Sequence, residues 1–153
     1  MSNPQNPWQQ GVPSGFPVWD DAGLAAVTGL VVGAAIIADP TEPDFRKVTL
    51  PAAAAGDVNV TGVVTDDYGS TGPAVGKPVN FRKMGRGKVL IKASTAVTRN
   101  DLLITSGDGD GTLIPRGATT GTMVIVARAR ETLSSVAAIQ ECAADIICQL
   151  AKF

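Results

Sequence analysis

Apolar and polar positions alternate most clearly near the end of the chain. Over 121–133, Val124, Val126, Arg128 and Arg130 fall on one side of an extended backbone, and Met123, Ile125, Ala127 and Ala129 fall on the other. One face stays apolar while the other becomes charged partway along, so the pattern predicts a strand that runs from the core to an edge. A second apolar run, 145–153, predicts its partner, and we expect this pair to be central to the sheet. Between them Ser134-Ser135 can cap a short helix over 136–144.

Earlier segments read the same way. The run 24–38 predicts two short apolar strands meeting at Gly33. Loop 39–44, with Pro40 and Pro43, cannot sit inside a sheet. Residues 45–50 alternate as a strand, with Phe45, Lys47 and Thr49 opposite Arg46, Val48 and Leu50. Four alanines at 52–55 suggest a helical turn ended by Gly56. A strand over 58–65 carries Gly62. Strands starting at Pro78 and returning over 88–93 are predicted to form a hairpin around Met84-Gly85-Arg86-Gly87. Segments 98–106 and 112–115 flank a Gly/Asp turn at 107–111. The fold class expected is all-β: a small β-sandwich or open, β-tulip-like barrel over 23–153, with one or two short helices at most and an extended N-terminal arm over 1–22.

Composition narrows the chemistry. The 153 residues suffice for one domain, and small or β-branched side chains with 17 glycines suit thin sheets and tight turns. A formal net charge of −1 provides no general attraction for nucleic acid or a membrane surface. Run 23–38 is too short and too broken by Gly29 and Gly33 to span a bilayer as a helix. The first residues lack the basic region of a secretory signal, so none is expected. With no histidine, the usual general base and commonest metal ligand are missing. Cys142 and Cys148 have no metal-site spacing and read as buried thiols in preference to a bridge. Asp108 and Asp110 lie in a loop that lacks the later ligands of a calcium site and read as turn residues. Asn59-Val60-Thr61 matches a glycosylation acceptor, read as chance without a signal peptide. No catalytic triad or carboxylate pair can be assembled. We therefore expect no enzyme, no cofactor and no metal, and a protein that works by contact.

Two features suggest where contact is made. Residues 1–20 contain Pro4, Pro7, Pro13 and Pro17, no Lys or Arg, and the aromatics Trp8, Phe16 and Trp19. An arm of this kind can order on a neighbouring subunit with its aromatics as anchors, or wrap its own domain. Around the expected 78–93 hairpin, Lys77, Arg82, Lys83, Arg86, Lys88 and Lys92 collect. Phe81 is the one aromatic among them that could stack on a base, so a solvated face or a patch for an acidic protein surface is favoured over nucleic acid. Gly85-Arg86-Gly87-Lys88 lacks the spacing of a phosphate-binding loop.

The order of these elements resembles the small capsid decoration, or cement, proteins of tailed bacteriophages. The residues that carry the resemblance are Val60-Thr61-Gly62-Val63-Val64, the strand 87–93, Asn100-Asp101-Leu102-Leu103, the turn Asp110-Gly111 followed by Pro115, and strand 123–131 with 146–150. The likeness covers about 24–153. It departs from the family pattern at Asn100, where glycine is common, and in the insertion 134–144. The resemblance implies a protein made in the bacterial cytoplasm that binds the outer capsid surface, stabilises the expanded head and bridges neighbouring major capsid subunits. It also implies a homotrimer. Candidate interface residues are Trp8, Phe16, Trp19, Arg82, Lys83 and Arg86. Another structural virion component, such as a tail or fibre part, and a small ligand-binding β module are the alternatives.

Overall fold

A computed structural model describes residues 17–42 and 46–153. The described residues form nine strands and no helix: β1 Trp19–Ala25, β2 Ala35–Ala38, β3 Lys47–Thr49, β4 Val60–Val64, β5 Pro78–Ile91, β6 Leu102–Thr105, β7 Leu113–Pro115, β8 Thr122–Ala129 and β9 Gln140–Lys152. The all-β expectation holds, and pairing resolves it in favour of barrels. Strands β1, β3, β2, β4 and β5 pair in that order, and β1 pairs back to β5. Strands β5, β7, β6, β8 and β9 do the same, closed by β5–β9. The two five-strand rings share β5: 78–84 serves the first and 85–91 the second.

Each ring has its own core. Ala25, Ile36, Val48, Val64, Val79 and Phe81, at least one from every strand of the first ring, pack with Leu30. Val89, Ile91, Leu103, Leu113, Val126, Cys142, Ala144 and Ile146 come from all five strands of the second. Ala35 and Ile37 of β2, and Val60 and Val63 of β4, join this second cluster, whereas Ile36 and Val64 face the first. Period-two alternation buries both faces of β2, and in β4 a register shift at Thr61 lets Val60 and Val63 face one core while Val64 faces the other.

Several expectations are corrected. The sequence 78–93 is not a hairpin: Pro78–Ile91 is one 14-residue strand, β5. Gly85 takes φ +130°, and at Gly87 a Cβ would lie 2.8 Å from Ile146 Cδ1. These glycines let β5 pass from one ring to the next under close approach of β9 instead of reversing the chain. No helix forms over 136–144; β9 begins at Gln140, and Cys142, Ala144 and Ile146 alternate inward as strand residues. The alanines at 52–55 make bends, with Ala55 bridged to Ser106, and not a helical turn. Run 24–38 holds the end of β1 and all of β2, separated by a loop. Phe45 lies outside the described residues; the rest of its expected strand centres on buried Val48. The expected pair 121–133 and 145–153 is present as β8 and β9 in antiparallel register. Asn100 adopts φ 75°, the left-handed conformation expected of the glycine it replaces, so the turn is kept.

Candidate contact surface

Two neighbouring acids on β1 meet two neighbouring bases on β5. The antiparallel register sets Asp20 opposite Arg82 and Asp21 opposite Phe81. Arg82 donates from Nε to Asp20 Oδ1 at 2.7 Å and from Nη2 to Oδ2 at 3.0 Å, and its Nη1 donates to the Arg86 carbonyl. Lys83 Nζ lies 3.1 Å from Asp21 Oδ2 and 4.8 Å from the centre of the Trp19 ring. The Ala22 backbone N–H, donated to Asp21, and the Lys83 ammonium hold the Asp21 carboxyl below its ordinary pKa.

The structure therefore brings Trp19, Arg82 and Lys83 together, and Arg86 lies exposed close by on the same strand. Trp8 and Phe16 lie outside the described residues. Segment 19–22, expected within the arm, is part of β1 and hydrogen-bonded to β5. The basic cluster is largely compensated within the chain: Lys88 pairs with Glu141 at 3.3 Å and Lys92 with Asp108 at 3.0 Å, beside the two pairs just described. Asp110 accepts from the Thr112 N–H and hydroxyl, a turn-closing role. No group of three or more metal-ligating side chains occurs among the described residues.

Beside Trp19 an open cleft of about 690 Å³ runs between the rings, lined by Trp19, Val60, Lys83, Met84, Cys148 and Leu150. Trp19 is 58% exposed and Leu150 59%. Two large apolar side chains left so open beside one cleft make it the candidate contact surface. A bulge forms the cleft. Ile125 pairs with Gln149 but Ala127 with Ile146, so β9 carries an extra residue there, and Cys148 takes φ 41°. Both cysteines are free; burial raises the Cys148 thiol to about 12 and the Cys142 thiol to about 11, the latter helped by the nearby Glu131 charge. Sequence reading missed the contribution of β9 to this surface. Leu150 keeps the sequence alternation of Cys142, Ala144 and Ile146, so no local pattern signalled its exposure.

No protein-family model and no curated protein matches the chain. Among solved structures it is similar to the N base of the head fibre gp8.5 of bacteriophage phi29. The likeness has a TM-score of 0.50 at 16% identity and covers 90% of this chain and 100% of that one. At that identity it shows a shared fold.

Proposed function

We propose that this protein is a structural component of a phage virion that attaches to the outside of the head, as a head-fibre base or decoration does. The observation that carries this reading is the fold likeness to a head-fibre base, which spans nearly the whole chain and all of the other. The resemblance of the 24–153 pattern to decoration proteins points the same way. The exposed apolar cleft beside Trp19 and Leu150 supplies a surface suited to the task. The protein acts by binding and not by catalysis. Its partner is the major capsid protein, and it sits on the head as a homotrimer.

Bridging of neighbouring capsid subunits is the finer form of this proposal. A ligand that binds the expanded shell and not its precursor stabilises the expanded shell by mass action. The test is to mix purified protein with expanded shells lacking it, sediment them, and then heat the washed shells. Saturable co-sedimentation supports attachment to the head, and a raised shell-disruption temperature adds the cement role. Saturation without stabilisation leaves a fibre base. Absence of binding refutes the proposal.

A further inference from the structure

The C-terminal half of β9 has one edge inside the sheet and one outside it. Phe153 exchanges two backbone hydrogen bonds with Gly121, both 3.0 Å. Ala151 and Gln149 stand opposite Met123 and Ile125 in the same register. Backbone groups alternate in direction along an antiparallel strand, so Leu150 and Lys152 turn their N–H and C=O away from β8. Val124, opposite Leu150, follows the same rule: its N–H leaves the β8–β9 pair and donates to the Asp57 carbonyl at 3.3 Å. On its other side β9 is covered by β5 only as far as Ile146. The outward backbone groups of Leu150 and Lys152 thus have no partner among the described residues.

This edge borders the cleft. Apolar Leu150, Trp19 and Met84 line it, and Lys152, on the Leu150 face of β9, has no ion-pair partner among the described residues. Lys83, also in the cleft, adds a second positive charge that Asp21 compensates. An unpaired ladder, an apolar wall and one unanswered cation together specify an occupant: an extended chain with an apolar residue for the cleft and a carboxylate for Lys152.

We propose that the outer edge of β9 at Leu150–Lys152 receives an extended, apolar and acid-bearing segment of the capsid surface as an added strand. This rests on the reading of the protein as a head-surface component. The test is amide hydrogen exchange on the intact protein, free and bound to expanded shells lacking it. Bound, the Leu150 and Lys152 amides exchange at least about tenfold more slowly. Shell binding without that protection overturns the added strand and leaves head attachment standing. No shell binding overturns both. Protection that appears in the free protein as its concentration rises assigns the edge to a second copy and overturns the proposal.

A pair of variants separates backbone from side chain. Leu150→Pro removes an N–H that faces away from β8, so the β8–β9 ladder stays intact. Leu150→Val keeps the N–H. The expected result is a loss of at least about tenfold in shell affinity for the proline variant and less than about threefold for valine. Equal losses would mean that the side chain alone makes the contact, and the added strand would be wrong.

Discussion

Arg82 on β5 grips Asp20 on β1 with two parallel hydrogen bonds, 2.7 Å and 3.0 Å, across 62 positions of sequence. The pair fastens the first residues of β1 to the strand both barrels share. Both side chains remain partly exposed, so the interaction is screened, and its coupling energy is set at about 0.5–1 kcal/mol. A double-mutant cycle of Asp20→Ala and Arg82→Ala, followed by urea denaturation, should return that value and should shrink at high salt. A coupling energy of zero at low salt would show that β1 is held by its backbone ladder alone.

Asp21 makes stability sensitive to acid. Its carboxyl lies below the usual aspartate range because it accepts from the Ala22 N–H and pairs with Lys83. A depressed folded pKa contributes stability that is present above the unfolded pKa and is lost as pH falls through the folded one. The expected outcome is a loss of stability below about pH 4 that is smaller in Asp21→Asn. Melting temperatures from pH 2 to 6 check it; identical acid limbs in the two proteins would refute it. Because Lys83 also sits over the Trp19 ring, the tryptophan emission of the folded protein should shift in the same pH range.

The two thiols give an alkaline counterpart. Burial raises Cys148 to about 12 and Cys142 to about 11. An acid whose pKa is raised by folding stabilises the fold fully below its unfolded pKa. Above that pKa the unfolded chain ionises first, and stability declines, by up to about 1.4 kcal/mol per pH unit for each thiol. Stability should therefore fall from about pH 9 upward and fall less in Cys148→Ser. At neutral pH the Cys142 thiol, fully buried, should react with a disulfide reagent only on unfolding, whereas Cys148, which lines the open cleft, should react sooner though slowly because its thiol stays protonated; rapid labelling of Cys142 in the native protein would contradict its burial.

Most of the fold was legible, and the misreadings share a cause. Alternation located β3, β4, β6, β7 and the β8–β9 pair because each has at least one regular buried face. It misread β5 because Gly85 and Gly87 look like turn residues, while the reasons for them lie elsewhere in the chain: Val18 and a positive φ at Gly85, and at Gly87 the Ile146 side chain, on a strand nearly 60 positions away. It misread 136–144 because alanines next to a serine cap mimic a helix start, and the inward alternation of Cys142, Ala144 and Ile146 is visible only with small side chains counted as core. The candidate contact surface was half visible. Trp19, Arg82 and Lys83 stood out by type, but that Asp20 and Asp21 would neutralise the bases depends on the β1–β5 register. The open edge of β9 depends on a bulge that no local pattern announces.

Gly111 joins the two rings. Its carbonyl accepts from the Ala35 N–H at 2.9 Å, its φ is +81°, and an added Cβ would lie 2.8 Å from both Ala35 O and Ala34 Cβ. An alanine would meet left-handed strain and backbone that cannot yield. Gly111→Ala should cost about 2–4 kcal/mol. Gly117, also at positive φ but with nothing within 4 Å, should cost about 1 kcal/mol on the same change. Thermal melts of the two variants separate the clash from the strain; equal losses would remove the close approach at Gly111 as an explanation.

Asp57 organises the loop between β3 and β4 and ties it to the second ring. It is a buried carboxylate, 8% exposed. Oδ2 accepts from the Ala52 N–H and Oδ1 from the Asn59 N–H, each at 2.8 Å, while its own N–H donates to the Thr105 hydroxyl at 2.8 Å. Its carbonyl receives the Val124 N–H, whose opposite neighbour on β9 is Leu150. Removing the carboxylate leaves two amides without acceptors in a partly buried loop, so Asp57→Ala should destabilise by about 2–4 kcal/mol. Asp57→Asn keeps one acceptor oxygen and should cost about half as much. The backbone contact to Val124 does not use the side chain, so the β8–β9 ladder should survive both changes. Hydrogen exchange should speed at Ala52 and Asn59 and stay unchanged at Ile125 and Ala151. Faster exchange at those last two residues would mean that the loop supports β8 as well, and that the β9 edge depends on it.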